Sequence, residues 1–250
     1  MPLERLRAIM RRLRDPASGC EWDTVQTFDT IAPYTIEEAY EVADAIARKD
    51  MDALADELGD LQLQVVFHAQ MAEEAGLFTL EDVLDRICSK MERRHPHIFG
   101  DAGHGGHHLW EMIKAEERSA SPDKSALAGV ALALPALERA AKLQRRAARV
   151  GFDWPDASGP RSKIDEELAE LEAETDHDRK LDELGDLLFA VVNLARHLNV
   201  EPEAALREAN RKFERRFRSI EQEPGFGDMS LEDKEALWVR AKKAQADSSA

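Results

Sequence analysis

The sequence predicts an all-α protein built from two tandem helical-bundle repeats. Apolar residues recur at helical spacing along nearly the whole chain, the interruptions fall at Pro and Gly, and one set of motifs appears twice in the same order. Glu38-x-x-Glu41 followed by Glu57-Leu58-Gly59-Asp60 returns as Glu167-x-x-Glu170 followed by Glu183-Leu184-Gly185-Asp186. Downstream, Lys90-Met91-Glu92-Arg93-Arg94 returns as Lys212-Phe213-Glu214-Arg215-Arg216, and Trp110-x-x-x-Lys114 as Trp238-x-x-x-Lys242. The expected organisation is a first repeat over 1–118, a linker over 119–130 and a second repeat over 131–250.

Leu3, Leu6, Ile9, Met10 and Leu13 predict a first amphipathic helix over 3–14, stopped by Asp15-Pro16 and Ser18-Gly19. The loop Gly19-Cys20-Glu21-Trp22-Asp23 follows, and Thr35-Ile36-Glu37-Glu38 fits a capping box with Thr35 as N-cap. The helix from there carries Glu38 and Glu41 to Ala47. After a break near Asp50, another runs from about Leu54 to Glu74 on Leu54, Leu58, Leu61, Val65 and Met71. Thr79–Arg94 is helical and halted by His95-Pro96, and Gly100–Gly106 is loop. In the second half, Lys163–Glu170 and Leu181–Asp186 lie on two helices expected to run antiparallel and face each other. A glycine inside a helix costs about 1 kcal/mol against alanine. Gly59 and Gly185 therefore predict a close helix approach, with Leu58 and Leu184 in the core. The run Leu187-Leu188-Phe189-Ala190-Val191-Val192 predicts that Asp186 lies beside a buried face.

The chemistry sits in the repeated carboxylates. Glu167 with Glu170, and Glu183 with Asp186, are three residues apart and share a helix face. Two such faces brought together repel unless a multivalent cation joins them. All the donors are hard oxygens, which favours Mg²⁺ or Mn²⁺ over zinc or copper. Glu38, Glu41, Glu57 and Asp60 form a second set. A di-iron bundle calls for Glu-x-x-His, which neither copy supplies. His95, His97, His104, His107 and His108 flank Pro and Gly without zinc spacing. The formal charge of -16 and pI near 5.0 argue against direct nucleic-acid binding and against anionic lipid. Cys20 and Cys88 fit no disulfide framework or zinc pattern, and no apolar run reaches a bilayer span or resembles a signal peptide. A soluble, cytoplasmic protein is expected.

With these motifs the chain resembles the MazG family of nucleoside triphosphate pyrophosphohydrolases, in its two-repeat bacterial form, over nearly its whole length. The likeness rests on ExxE followed by ExxD, and on Gly19-Cys20-Glu21-Trp22-Asp23, Arg93-Arg94-His95-Pro96-His97, Val150-Gly151-Phe152-Asp153-Trp154, Asn193-Leu194-Ala195-Arg196-His197-Leu198 and Lys212-Phe213-Glu214-Arg215-Arg216-Phe217. It implies a helical bundle that forms a homodimer, binds Mg²⁺ and splits nucleoside triphosphates into monophosphate and pyrophosphate, with the nucleotide site in the second repeat. The residues give an independent reason for that choice: Asn193 stands two turns after Asp186, where the first repeat has Phe67. On this reading Glu167, Glu170, Glu183 and Asp186 hold the metal and Glu166 accepts the proton of the attacking water. Lys163, Lys180, Lys212, Arg216 and Lys242 neutralise phosphate oxygens, Asn193 bonds sugar or phosphate, and Trp238 stacks on any base, which predicts broad specificity. The competing reading is a non-catalytic helical binding or scaffold protein that keeps the fold.

Overall fold

The computed structural model describes residues 1–100, 113 and 123–247, and every regular element among them is helical. The chain divides into two compact units, Met1–Glu117 and Arg118–Ala250. The loop expected over Gly100–Gly106 from residue 101 on, the Trp110 and Lys114 echo, His104, His107 and His108, and the first residues of the expected linker lie outside the described residues. No helix among the described residues is long and apolar enough to cross a membrane.

The first unit opens with α1 (Pro2–Leu13), whose proline occupies the first turn, where its missing N–H removes no helix bond. The short α2 (Glu21–Thr24) leads to α3 (Phe28–Arg48) and α4 (Met51–Glu74), which pack along their length as a helical hairpin. Lys49 makes the turn between them in the left-handed conformation, with φ 58°. α5 (Leu80–Arg94) starts at a capping box in which Thr79 and Asp82 exchange backbone and side-chain bonds, and α6 (Pro96–Phe99) is one turn. The core is Met10 of α1, Ile31 of α3, Val66, Phe67, Ala69 and Met71 of α4, and Leu80 of α5.

The second unit contains α7 (Ala136–Ala148), α8 (Ser158–Ala173), α9 (His177–His197), α10 (Pro202–Ile220), a 3₁₀ turn (Phe226–Asp228) and α11 (Leu231–Asp247). Helices α8 and α9 form the counterpart hairpin, α7 packs on α9 and α10, and α11 packs on α10. Asp176 caps α9 by accepting from the backbone N–H groups of Asp178 and Arg179 at 3.0 and 3.1 Å.

Four expectations change. Thr35 is not an N-cap: α3 begins eight residues earlier, where Thr27 and Thr30 form the reciprocal cap, and the helix accommodates Pro33 in its second turn. Thr35 instead bonds His68 Nε2 at 3.1 Å from inside the helix. α4 begins at Met51, because the Asp50 side chain accepts from Ala53 N at 3.1 Å. Leu58 and Leu184 are not core residues, being 50% and 44% exposed, and nothing lies within 4 Å of where a side chain at Gly59 or Gly185 would begin. Neighbours on a helix point about 100° apart, so a Glu57 or Glu183 turned toward the facing helix turns the following Leu away from it. The run after Asp186 is likewise split. Ala190 and Val192 are buried while Leu188, Phe189 and Val191 stand exposed, and Asp186 is itself exposed.

Candidate active site

The α8–α9 hairpin converts local spacing into a three-dimensional centre. Glu167 and Glu170 of α8 and Glu183 of α9 each place a carboxylate oxygen within 4.8 Å of the others. Glu167 is 3% exposed, Glu183 is half-buried and Glu170 is open to solvent. Burial and then the charges of Glu170, Glu167, Asp186 and Glu174 push the Glu183 carboxyl above the ordinary range. Crowded carboxylates in this state gain most from a hard divalent cation. Lys163, one turn before Glu167 on α8, donates to Glu167 at 2.6 Å and to Glu166 at 2.8 Å, and these two bonds raise its own pKa.

The first unit repeats the acidic arrangement. Glu38, Glu41 and Glu57 lie within the same mutual distance of 4.8 Å. Glu38 is raised by burial and by Asp60 and Glu41, with Gln64 opposing; Glu57 is raised by burial and by Glu41 and Asp60.

The two centres differ in what lies beside them. In the second unit a cavity of about 700 Å³ meets the acidic centre at Glu167, with Lys163 and Asp186 on the same wall; Asp186, expected as the fourth ligand, lies outside the three-carboxylate cluster. It runs along α9 through Phe189, Asn193 and Arg196, with Gln144 of α7 and the loop residues Phe152, Asp153 and Trp154 completing its wall. In the first unit Phe67, at the place of Asn193, is buried in the core against Met10. The Arg14 guanidinium lies 5.4 Å from the Phe67 ring centre, and Trp22 meets that ring edge-on at 6.5 Å. Arg14 is itself fixed by Glu74, with bonds of 3.0, 3.0 and 2.7 Å, and by the Asp23 carbonyl at 2.6 Å. Aromatic and cationic packing thus occupies the position that is amide-lined in the second unit.

The structure brings together Lys163, Glu167, Asp186 and Asn193 on the cavity wall, and joins Glu170 and Glu183 to them through the acidic centre. Glu166 is exposed and is not among the cavity residues, but Lys163 of the cavity wall holds it. Lys180, Lys212, Arg216, Trp238 and Lys242 are not among the cavity residues. Lys180 is exposed near the start of α9. The rest belong to the α10–α11 pair, where Arg216 donates to Gln245 at 2.9 Å and lies 5.8 Å from the Trp238 ring, which packs on Phe213 at 5.2 Å.

Sequence reasoning assigned no role to Gln144, Asp153, Trp154, Phe189 or Arg196. The available signal was the contrast between repeats: Leu3-Glu4-Arg5 matches Leu137-Glu138-Arg139, which aligns Met10 with Gln144 as Phe67 aligns with Asn193. Two apolar positions of the first repeat have become amides in the second.

Each unit matches a family model of its own. Residues 26–99 match the MazG nucleotide pyrophosphohydrolase domain, and residues 136–213 match the phosphoribosyl-ATP pyrophosphohydrolase family. Over 259 aligned residues the chain is 49% identical to the nucleoside triphosphate pyrophosphohydrolase of Escherichia coli strain K12, covering 98% of each protein. It is 46% identical over 244 residues to the nucleoside triphosphate pyrophosphohydrolase/pyrophosphatase MazG of Thermotoga maritima, covering 96% of this chain and 95% of that one. A nucleoside triphosphate pyrophosphohydrolase of Mycolicibacterium smegmatis is 31% identical over 245 residues, covering 96% of this chain and 70% of its own.

Proposed function

Since the chain belongs to the MazG family, we propose that it hydrolyses nucleoside triphosphates to the monophosphate and pyrophosphate, and does so in its second unit. The observation that carries this reading is that Glu167 belongs both to an acidic centre and to a cavity with aromatic and amide walls, on which Asp186 also stands. One end suits a cation and a polyphosphate, and the other suits a base and sugar.

Three carboxylate oxygens within 4.8 Å fit a hard divalent ion, and Mg²⁺, with Mn²⁺ as substitute, is the assignment. Glu167, Glu170, Glu183 and Asp186 would hold it. When bound, it supplies Lewis-acid neutralisation of phosphate charge. Lys163 is the cation on the cavity wall beside that centre, placed to neutralise a non-bridging phosphate oxygen as charge develops. Glu166 takes the proton of the attacking water, with Lys163 orienting it at 2.8 Å. Phe152, Trp154 and Phe189 offer apolar surface to any base, which suits a broad enzyme that clears standard and non-standard nucleotides from the pool.

The working form is a homodimer. Leu181, Leu184, Leu188 and Val191 are all exposed and recur at seam spacing along α9, a stripe that a second copy would cover. Lys180, Lys212, Arg216, Trp238 and Lys242 stand outside the cavity and are assigned to substrate contact from that second copy. Light scattering of the purified chain should give twice the 28.1 kDa monomer mass. Mixing inactive Glu170→Ala and Lys212→Ala proteins under conditions that exchange subunits should then restore part of the activity; no recovery in an exchanged dimer would place both residues in one protomer's site. The enzyme reading itself is tested by pyrophosphate release from a panel of nucleotides with Mg²⁺. Its absence throughout would leave the non-catalytic binding protein as the better description.

A further inference from the structure

The end of the cavity away from the acidic centre carries two buried amides whose polarity the protein fixes. Asn193 is 7% exposed, and its Oδ1 accepts from Arg196 Nε at 3.1 Å and from Nη2 at 2.7 Å. Both lone pairs of that oxygen are used, so the amide presents N–H groups. Arg196 cannot swing away readily, because Nη1 donates to Asp153 Oδ2 at 2.9 Å and Nη2 pairs with Asp153 Oδ1. Gln144 is 6% exposed and donates Nε2 to the Phe189 carbonyl at 2.8 Å. Only the nitrogen end of an amide donates to a carbonyl, so Oε1 is the other end; it is buried and has no donor. The Phe189 carbonyl lies one turn before Asn193 and is the one that Asn193's backbone N–H meets in an α-helix. Gln144 and Asn193 are therefore neighbours, and both line the cavity.

Gln64 and Gln70 of the first unit also bury an Oε1 without a donor, so what sets Gln144 apart is its place beside a second amide on the cavity wall. The first unit builds the corresponding positions from Met10 and Phe67, 1% and 4% exposed, so this fold packs there without amides. An unpaired buried acceptor costs on the order of 1–3 kcal/mol, a cost that a ligand donor would remove.

We propose that this end of the cavity reads a nucleobase edge by polarity: Asn193 donates to an acceptor on the base, Gln144 accepts from the donor beside it, and Arg196 and Asp153 are positioning residues. The inference rests on the nucleotide reading above and adds where the base lies and what it must carry. Adenine, guanine, cytosine, uracil and hypoxanthine each have a donor next to an acceptor on the Watson–Crick edge. Adenine and cytosine carry the donor on the exocyclic amine and the acceptor in the ring, and guanine, uracil and hypoxanthine the reverse, so the site takes each set in its own placement of the base and rejects a base that has only acceptors. Gln144 Oε1 is covered in the unliganded chain, so a base donor pairs with it only after a local shift of the cavity wall.

Purine riboside triphosphate, which is ATP without its amino group, is the discriminating probe. Full-length protein with Mg²⁺ should show kcat/KM for ATP higher by about tenfold or more, carried by KM, the size of effect expected from one hydrogen bond to a buried group. Gln144→Met, which borrows the residue of the first repeat, should lower ATP to the level of purine riboside triphosphate and leave the latter unchanged. Asn193→Asp keeps the shape and the Arg196 partnership but replaces amide hydrogens by oxygen, and should raise KM for every base about tenfold or more with kcat little changed. Asp153→Asn should act in the same direction more weakly. Equal kcat/KM for the two purine nucleotides in the wild type overturns the proposal, as does an undiminished preference in a folded Gln144→Met protein. If that variant does not fold, the wild-type comparison decides. If nothing is turned over, calorimetric binding of AMP and purine riboside monophosphate makes the same comparison, so loss of the enzymatic reading and loss of this one remain distinguishable.

Discussion

At the scale of single residues, the second unit shows charge used in two opposite ways within one cavity. The acidic centre keeps like charges together, and Glu183 is raised as a result. At the other end, the hydrogen bond from Arg196, opposed by burial, holds the Asp153 carboxyl below the ordinary range. A carboxylate whose folded pKa is depressed contributes stability that is present above its unfolded pKa and lost as pH falls through the folded one. Asp153→Asn should therefore lower the melting temperature near neutral pH, and the gap to wild type should close as pH drops below about 4, the ordinary aspartate range. Thermal melts across that interval check this; a gap of constant size would mean that the shape of the side chain matters and its charge does not. The acidic centre makes the complementary prediction. Glu170→Ala should abolish Mg²⁺-dependent pyrophosphate release without changing helix content, since it removes a ligand and relieves repulsion together. Full activity at saturating Mg²⁺ would remove Glu170 from the centre.

At the scale of elements, the cavity depends on how the chain passes from α7 to α8. Gly151 takes φ +85° just beyond α7, a left-handed step that costs glycine nothing and sends Phe152, Asp153 and Trp154 onto the cavity wall. Gly159, in the first turn of α8, lets the Trp154 ring lie against the helix; a methyl there would run into the ring. Gly159→Ala should displace Trp154, shift the tryptophan emission and raise KM several-fold. Stability should change little, because alanine is about 1 kcal/mol the better helix former. Unchanged emission and KM would show that Trp154 does not depend on that packing. Element boundaries were legible where a local signal was unambiguous, as at Thr79 with Asp82. They were misread at Thr35, where the same spelling of a cap sits inside a helix whose start is fixed by Thr27 and Thr30. Of the four carboxylates expected to converge, Glu167, Glu170 and Glu183 do, because spacing on two adjacent helices brings them together, while Asp186 stands on the cavity wall outside that cluster. Gln144 joins Asn193 only through the packing of α7 on α9, between residues far apart in sequence, and no local pattern announces that.

At the scale of the whole molecule, duplication has left two acidic centres and made their surroundings unequal. Glu38, Glu41 and Glu57 keep the geometry that suits a cation, but Met10, Phe67 and Arg14 occupy the place that Gln144, Asn193 and their neighbours leave open to a ligand. Selection for substrate binding would not fill that space with buried aromatic packing, whereas selection for stability would. We therefore propose that the first unit is a structural half whose acidic cluster suits a cation. Mg²⁺ at a hundred times its dissociation constant would stabilise it by about 2.7 kcal/mol through linkage alone. Glu41→Ala should therefore retain most pyrophosphate release while losing part of the Mg²⁺-induced rise in melting temperature, and Glu170→Ala should lose the activity itself. Steady-state assays and melts of the two full-length variants, with and without Mg²⁺, separate the roles. Equal loss of activity from both substitutions would mean that Phe67 has not closed the first site to function, and that catalysis draws on both halves of the chain.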